Sequence, residues 1–331
     1  MQIKEAILQT EKQAVANFLK EFDLNYRQDT EYTVYIEDAG KMVGTVSVTG
    51  NLIMQLAVSK NFQGENLAVT LVDHVVSKLR QQGVYGYKVF TKPIYQPLFE
   101  SMGFRLLVGT DKFVALEGGV CDINKTIKSL VNKVTMELGG IDLDTAAIVI
   151  NGNPFTKGHM ALCEHALKNH KRLLLFVLEE DLSYFSFKER FSLAFVAMRP
   201  YYDKVSVLPS TEYIVSKSTF PDYFLHGEDE TTRVYAEYDA LIFKKYFMPA
   251  LGISKRYFGS ETSKYMNIYN ETCAKVLKDA AQIVDRFSYD GEVISAKQVR
   301  ALIDNGQTEK ALDMVPLSCR AIMKLILSSK K

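Results

Sequence analysis

The sequence predicts an α/β protein in two parts, an α+β N-terminal part followed by a doubly wound parallel sheet. Three observations carry this. The chain has 331 residues, more than one ordinary domain needs. Up to residue 117, short strands separated by glycine turns read as an antiparallel meander with helices. From residue 145, continuous apolar strands alternate with helices, as in a parallel sheet covered on both faces.

The elements follow in order. A helical stretch over about 9–22 precedes the strands YTVYIED, MVGTVSVTG and LIMQLAVS, with Gly40 and Gly50 at the turns. Leu67, Leu71, Val75, Val76 and Leu79 then recur at helical spacing, and Gly83 ends that helix. YKVFT is a strand, PIYQPLFESMGF a short helix stopped by Gly103, and DKFVALEGG a last strand. Gly118-Gly119 and Gly139-Gly140 bracket a helical segment at 122–138, where the domain boundary is placed: 1–130 and 131–331. TAAIVI, RLLLFVL, KVSVLPS, KRYFGS and QIVDRFS are the later strands. HMALCEHALKNH, FKERFSLAFVAM, VYAEYDALIFKKYF and NIYNETCAKVLKDA are helices between them, and two closing helices follow.

Composition narrows the class. Forty basic against 39 acidic side chains give a net charge of +1, which points to neither a nucleic-acid nor a membrane-surface partner. The four cysteines form no CxxC pair, as in a reduced cytoplasmic protein without a disulfide framework or zinc ribbon. The N-terminus lacks a signal-peptide core. LLLFVL (173–178) is far short of the roughly 18 apolar residues of a membrane span. A soluble, cytoplasmic protein is expected.

The richest segment follows TAAIVI: Asn151, Gly152, Asn153, Pro154 and Phe155, then Thr156, Lys157, Gly158 and His159 at a helix start. In a doubly wound sheet such a strand end borders the ligand. Free N–H groups and the helix dipole favour an anion there. Gly158 removes a Cβ where a ligand approaches, Thr156 offers a hydroxyl, and His159 a ring donor that is charge-adaptable near neutral pH. Two other readings stay open. One is a plain strand-to-helix turn with an exposed histidine. The other is a metal pair of His159 and Cys163 on one helix face, for which no third ligand stands at a sensible spacing, so no metal site is expected. Cys163 reads as a small core residue, and His165 and His170 as surface residues.

A second segment, VISAKQVRALIDNG, starts a helix near the far end of the same part. Ser295 and Gln298 make a capping box. Arg300 lies one turn in, where a cation opposes the dipole; a phosphate at the helix start would relieve that conflict.

Thr156-Lys157-Gly158-His159 resembles the (H/T)xGH signature of the nucleotidyltransferase superfamily, and Ile294–Arg300 its ISSTxxR signature. Ser295 and Arg300 match. Ala296-Lys297-Gln298 departs from the pattern, with Lys297 adding charge. With SYFSFKERFSLA (183–194), KSTFPDYFL (217–225) and RYFGSETSKYMNIYNE (256–271), nearly the whole chain resembles the acetate:citrate lyase ligase family. Residues 56–75 and 90–104 separately resemble elements of GNAT acetyltransferases that hold coenzyme A, although in Asn61–Asn66 only Gly64 fits the fixed positions of the family pattern.

The resemblance implies a GNAT-like domain joined to a Rossmann-like nucleotidyltransferase domain. It implies ATP and Mg²⁺ as cofactors, acetate as substrate, and the acyl carrier subunit of citrate lyase, with its CoA-like thiol prosthetic group, as partner. A carboxylate attacks the α-phosphorus of ATP, and the thiol then attacks the acyl-adenylate. On this resemblance Thr156, His159 and Arg300 are the catalytic residues, His159 foremost. Asn151, Gly152, Asn153, Pro154, Phe155, Gly158, Gly259, Ser260, Glu261 and Ser295 line the nucleotide; Lys157, Lys188, Arg190 and Lys297 are further phosphate candidates. Phe220, Pro221, Tyr223 and Phe224 would wall a small acyl pocket. Three other functions fit parts of the sequence. One is an adenylyltransferase of the pantetheine-phosphate or nicotinate-nucleotide type, and another an active GNAT enzyme. The third is a non-catalytic module binding coenzyme A or an acyl carrier. The first domain reads either as a docking domain with vestigial cofactor geometry or as a holder of the prosthetic arm.

Overall fold

The computed structural model describes residues 2–64, 66–179, 183–214, 220–289 and 292–330, with the backbone alone at 288, 289, 292 and 293. Glu65 of the 61–66 loop and 217–219 of the 217–225 stretch lie outside the described residues. Contacts divide the chain into two compact units, Met1–Asp122 with Pro221–Val234, and Ile123–Phe220 with Tyr235–Lys331.

In the first unit seven strands form one sheet: β1 (Ile3–Glu5), β2 (Tyr32–Asp38), β3 (Lys41–Thr49), β4 (Leu52–Val58), β5 (Gly86–Thr91), β6 (Arg105–Gly109) and β7 (Val114–Gly119), in the order β1-β2-β3-β4-β5-β7-β6. All pairs are antiparallel except β4 with β5, which pair in parallel at Leu52–Lys88 and Ile53–Val89 and then part. β1 and β6 are additions to the expected meander. β1 spans three residues and β6 is an irregular edge strand, so neither shows a sustained alternation. Helix α1 (Gln9–Lys20) buries Val15, Phe18 and Leu19 with Tyr35 and Ala57. Helix α2 (Leu67–Gln81) buries Leu71, Val72, Val75 and Leu79 with Val34, Ile36 and Val46. Tyr35 and its neighbours Val34 and Ile36 point to opposite faces, so α1 and α2 cover opposite faces of the sheet. α3 (Gln96–Ser101) buries Phe99 against Phe104.

In the second unit β8 (Thr145–Ile150), β9 (Arg172–Val177), β10 (Val205–Pro209), β11 (Ile253–Gly259) and β12 (Ala281–Val284) form a parallel sheet in the order β10-β9-β8-β11-β12. Chain order reverses direction at β8, which places a crevice between the C-terminal ends of β8 and β11. Every side chain of Leu173–Val177 is fully buried, which accounts for the unbroken apolar run. The helices are α4 (Ile123–Leu138), α5 (Lys157–Asn169), α6 (Phe187–Met198), α7 (Glu228–Ile242), of which the part from Tyr235 belongs to this unit, α8 (Met248–Leu251), α9 (Lys264–Leu277), α10 (Ala296–Asp304), α11 (Thr308–Asp313) and α12 (Arg320–Ser329). Three helices close the chain rather than two, because Gly306 at φ +71° and the Pro316 turn break the last helical stretch twice.

The units divide at 122/123, ahead of the 130/131 boundary expected, because α4 buries one apolar face, Ile123, Ile127, Leu130 and Val134, within the second unit. The larger departure is Pro221–Val234, which belongs to the first unit although its flanks belong to the second.

Candidate active site

A cleft of about 710 Å³ opens at the C-terminal ends of β8 and β11. Asn151, Gly152, Asn153, Thr156, Gly158 and His159 line it from one loop, Gly259, Ser260 and Glu261 from another, and Ser295, Lys297 and Arg300 from the third. The two segments read from the sequence meet here across more than a hundred residues. An Arg300 Nη1 hydrogen donates to the Asn153 carbonyl. A Cβ on Gly158 would lie 3.1 Å from the Ile294 carbonyl oxygen, so the glycine permits this backbone approach. Gly158 lines the cleft, where it was expected to make room for a ligand, and its missing Cβ also admits the Ile294 backbone.

Thr156 caps α5 from a buried position, its hydroxyl accepting from His159 N–H at 3.4 Å. The ring returns the bond: Thr156 N–H donates to His159 Nδ1 at 3.0 Å. This is a capping box with histidine in the place of the usual glutamate. A backbone N–H can only donate, so Nδ1 accepts and the neutral ring carries its proton on Nε2. Enclosure of the ring lowers its pKa to about 4. His159 is therefore neutral at physiological pH, not the charge-adaptable group expected.

The linkage has a definite sign. The folded-state pKa lies below the ordinary value near 6.5, so the unfolded chain binds more protons between pH 6.5 and 4. The stability from this group is complete above about pH 6.5 and disappears as the pH falls to 4, on the order of 3 kcal/mol. Urea midpoints measured across this window should fall more steeply for the native chain than for His159→Gln. Parallel curves would show that the ring titrates normally.

At the second helix start Ser295 Oγ accepts from Gln298 N–H at 3.1 Å at the head of α10, an N-cap without the reciprocal side-chain bond of the capping box expected. Both helix starts border the cleft, with Lys297 and Arg300 beside them, so anions are favoured. Arg286 is an addition that pattern reading missed. It lines the cleft, its Nε donates to the Ser260 carbonyl at 2.9 Å, and it pairs with Glu261. Asn270 fixes the same loop by donating to the Gly259 carbonyl at 2.9 Å. Beneath it, Arg256 and Asp239 form a buried ion pair at 2.7 Å, joined by Tyr269, whose hydroxyl donates to Asp239 at 2.6 Å. The guanidinium lies 4.5 Å and 4.9 Å from the Phe243 and Phe258 ring centres.

Several expected residues are placed elsewhere. Arg190 is fully buried, donating to the carbonyls of Phe185, Asn151 and Leu178 at 3.0, 2.8 and 2.7 Å. It braces the 151–156 loop from behind and is absent from the cleft lining. Lys188 is exposed outside the cleft lining, and Lys157, Pro154 and Phe155 are also absent from that lining. Phe155 is core, its ring 5.4 Å from that of His159. Cys163 is buried in the core, and desolvation raises its thiol pKa. His170 and His165 are half-buried rather than surface residues. His170 bonds Asp144 and Tyr257 at 2.8 and 3.1 Å, and His165 packs on Tyr257 and Phe287. Tyr223 and Phe224 line a cavity of the first unit, and Phe220 packs on Tyr235 and Tyr238, so this stretch does not wall the cleft. Among the described residues no group of three His, Cys, Asp or Glu side chains can hold a metal, and no helix is long and apolar enough to cross a membrane.

Residues 145–322 match the family model of the citrate lyase ligase C-terminal domain, and residues 5–115 that of the acetyltransferase (GNAT) domain. The chain is 29% identical over 312 residues to the citrate (pro-3S)-lyase ligase of Escherichia coli (strain K12), covering 91% of this chain and 87% of that protein. It is 29% identical over 316 residues to the Klebsiella pneumoniae ligase of the same name, covering 92% and 90%. Among solved structures, the ribosomal-protein-S18-alanine N-acetyltransferase of Escherichia coli matches 37% of this chain and 94% of its own, at 18% identity and a TM-score of 0.30.

Proposed function

The chain belongs to the citrate lyase ligase family, a family of enzymes, and from that premise we propose that it activates citrate lyase in the cytoplasm by acetylating the thiol prosthetic group of its acyl carrier subunit, using ATP and acetate. The observation that carries this reading is the meeting of the 151–159 and 294–300 segments, tied by Arg300 on the Asn153 carbonyl, at the strand ends where an anion is favoured.

In the first step an acetate oxygen attacks the α-phosphorus and the bond to the leaving pyrophosphate breaks. Negative charge grows on oxygens that Nε2–H of His159 and the N–H groups at the two helix starts are suited to receive. Arg300 and Lys297 hold the β- and γ-phosphates. Ser260, Gly259 and Asn153 border the nucleotide. Asp285, which lines the cleft, is a carboxylate available to Mg²⁺, and the ion would neutralise charge on the pyrophosphate while keeping several waters. In the second step the thiol attacks the acetyl carbonyl of the adenylate and AMP leaves.

The test is ATP–pyrophosphate exchange with purified protein and Mg²⁺. Exchange that appears only with acetate supports the reading, and adding deacetylated citrate lyase should then release AMP. Exchange with a phosphopantetheine or nucleotide substrate in place of acetate would assign a simple adenylyltransferase. In the same assay Arg300→Ala should raise the KM for ATP about tenfold, the loss of one charge-assisted bond. An unchanged KM would confine Arg300 to holding the Asn153 loop.

A further inference from the structure

Beneath the cleft lies a charged pair that packing alone does not explain. Arg256 of β11 and Asp239 of α7 are both enclosed, and the Tyr269 hydroxyl joins them, accepting from Arg256 Nη2 at 3.0 Å and donating to Asp239 Oδ2. Arg256 Nε, Arg256 Nη1 and Asp239 Oδ1 have no hydrogen-bond partner among the described residues. Protein cores pair such atoms, because each one left bare costs free energy. The helix packed on the pair is irregular as well. Phe243–Phe247 is a π-helical turn, a feature frequent at functional sites, and it lays the Phe243 ring on the guanidinium. Apolar side chains would fill this space without that cost.

The pair is oriented with respect to the cleft. Arg256 borders it and Asp239 does not, so the positive end is the one presented. Arg256 pairs in register with Ala147 and Tyr257 with Ile148, so Arg256, Phe258 and Val149 share one face of the sheet. Tyr269 of α9 packs on Phe258 on that face, whereas Tyr257 points to the opposite one, against His165 of α5. On the α9 side the cleft lining is thus Val149, Phe258 and Met266, which are apolar, with Tyr269 and Asn270 beside Arg256. Val149 stands two positions ahead of Asn151, so this side adjoins the loop that borders the nucleotide.

We propose, resting on the adenylate reading for the identity of the acid, that Arg256 anchors the carboxylate of a short monocarboxylic acid on the α9 side of the cleft. The positive end of the pair selects an anion. The apolar walls select one with an alkyl tail rather than a phosphate, whose cations and helix starts lie on the other loops. One carboxylate oxygen gives Nη1 the acceptor it lacks, and the other is left to attack phosphorus. Nε and Nη1 are enclosed, with Phe258 and Tyr269 between them and the cleft, so an acid reaches Arg256 when one of these rings turns aside. A short acid needs the smaller opening, which makes this cover a selector of chain length.

Saturation-transfer NMR reads acetate binding directly on the full-length protein, with and without an ATP analogue carrying a methylene between the α- and β-phosphorus. Acetamide, the uncharged isostere, should compete at least about tenfold less well than acetate. The double variant Arg256→Met, Asp239→Leu removes both charges and leaves neither unpaired. It should bind acetate about tenfold more weakly, with its thermal melt and nucleotide binding kept. Met266→Ala keeps the pair and widens the wall, so the preference for acetate over butyrate should shrink; this arm and acetamide decide the matter if the double variant does not fold. Four results would overturn the proposal: no acetate signal in either state, equal competition by acetamide, native acetate affinity in a folded double variant, or an unchanged preference in Met266→Ala. Binding is measured without turnover. Acetate held through Arg256 with no pyrophosphate exchange would sink the adenylate reading and leave the site. Exchange with a native acetate KM in the double variant would do the reverse.

Discussion

Replacing His159 with alanine is expected to lower acetate-dependent ATP–pyrophosphate exchange by about 10²- to 10³-fold, the loss typical of one preorganised donor. The ring is held from both sides. Thr156 N–H fixes Nδ1 at 3.0 Å, and the Phe155 ring lies against it. Its orientation is thus set before any nucleotide arrives, and Nε2–H needs no reorganisation to meet charge as it forms. A neutral ring also suits a cleft that already holds Lys297, Arg286 and Arg300. The substitution leaves Thr156 N–H without its acceptor, costing about 1 kcal/mol of helix capping, too little to unfold the unit. His159→Gln keeps a donor and should lose less. Exchange within threefold of the native rate, with an unchanged thermal melt, would remove His159 from the mechanism.

What the sequence made legible depends on distance along the chain. Thr156 with His159, and Ser295 with Gln298, are local pairs, so helix capping alone restricts the residue types and the pattern shows. The parallel sheet was legible for a similar reason: Leu173–Val177 must be apolar throughout when both faces are covered. Arg286 was missed because its partners, Ser260 and Glu261, are about 25 positions away. Arg190 was misread because a cation at a helix start looks the same whether it faces solvent, a phosphate or three carbonyls; only tertiary packing decides. Pro221–Leu225 follows β10 by a short step and so reads as part of the strand-end loops. Its bonds to Asn25 and Phe90 carry it into the other unit, which no periodicity can report. A cut at 130/131 would therefore remove the partners of a strap that the remaining chain still carries.

Replacing Arg190 with methionine is expected to destabilise the second unit by about 3–5 kcal/mol, since three buried carbonyls lose their donor at about 1–3 kcal/mol each. Methionine keeps much of the volume, so the loss comes from three carbonyls deprived of a donor rather than from a cavity. Those carbonyls belong to three different segments: Asn151 after β8, Leu178 after β9, and Phe185 ahead of α6. One side chain thus ties together two strand ends and the start of a helix. Asn153 strengthens the tie from the other direction, its Oδ1 accepting from Phe185 N–H at 3.1 Å. Arg190→Lys should recover only part of the loss, because a single ammonium lacks the planar fork that reaches carbonyls on different sides. Urea unfolding measures the energy, and exchange activity reports the loop. Activity should fall even in conditions where the variant stays folded, since Asn151 and Asn153 border the cleft. A loss below 1 kcal/mol would mean that water replaces the guanidinium, and Arg190 would then be a dispensable brace.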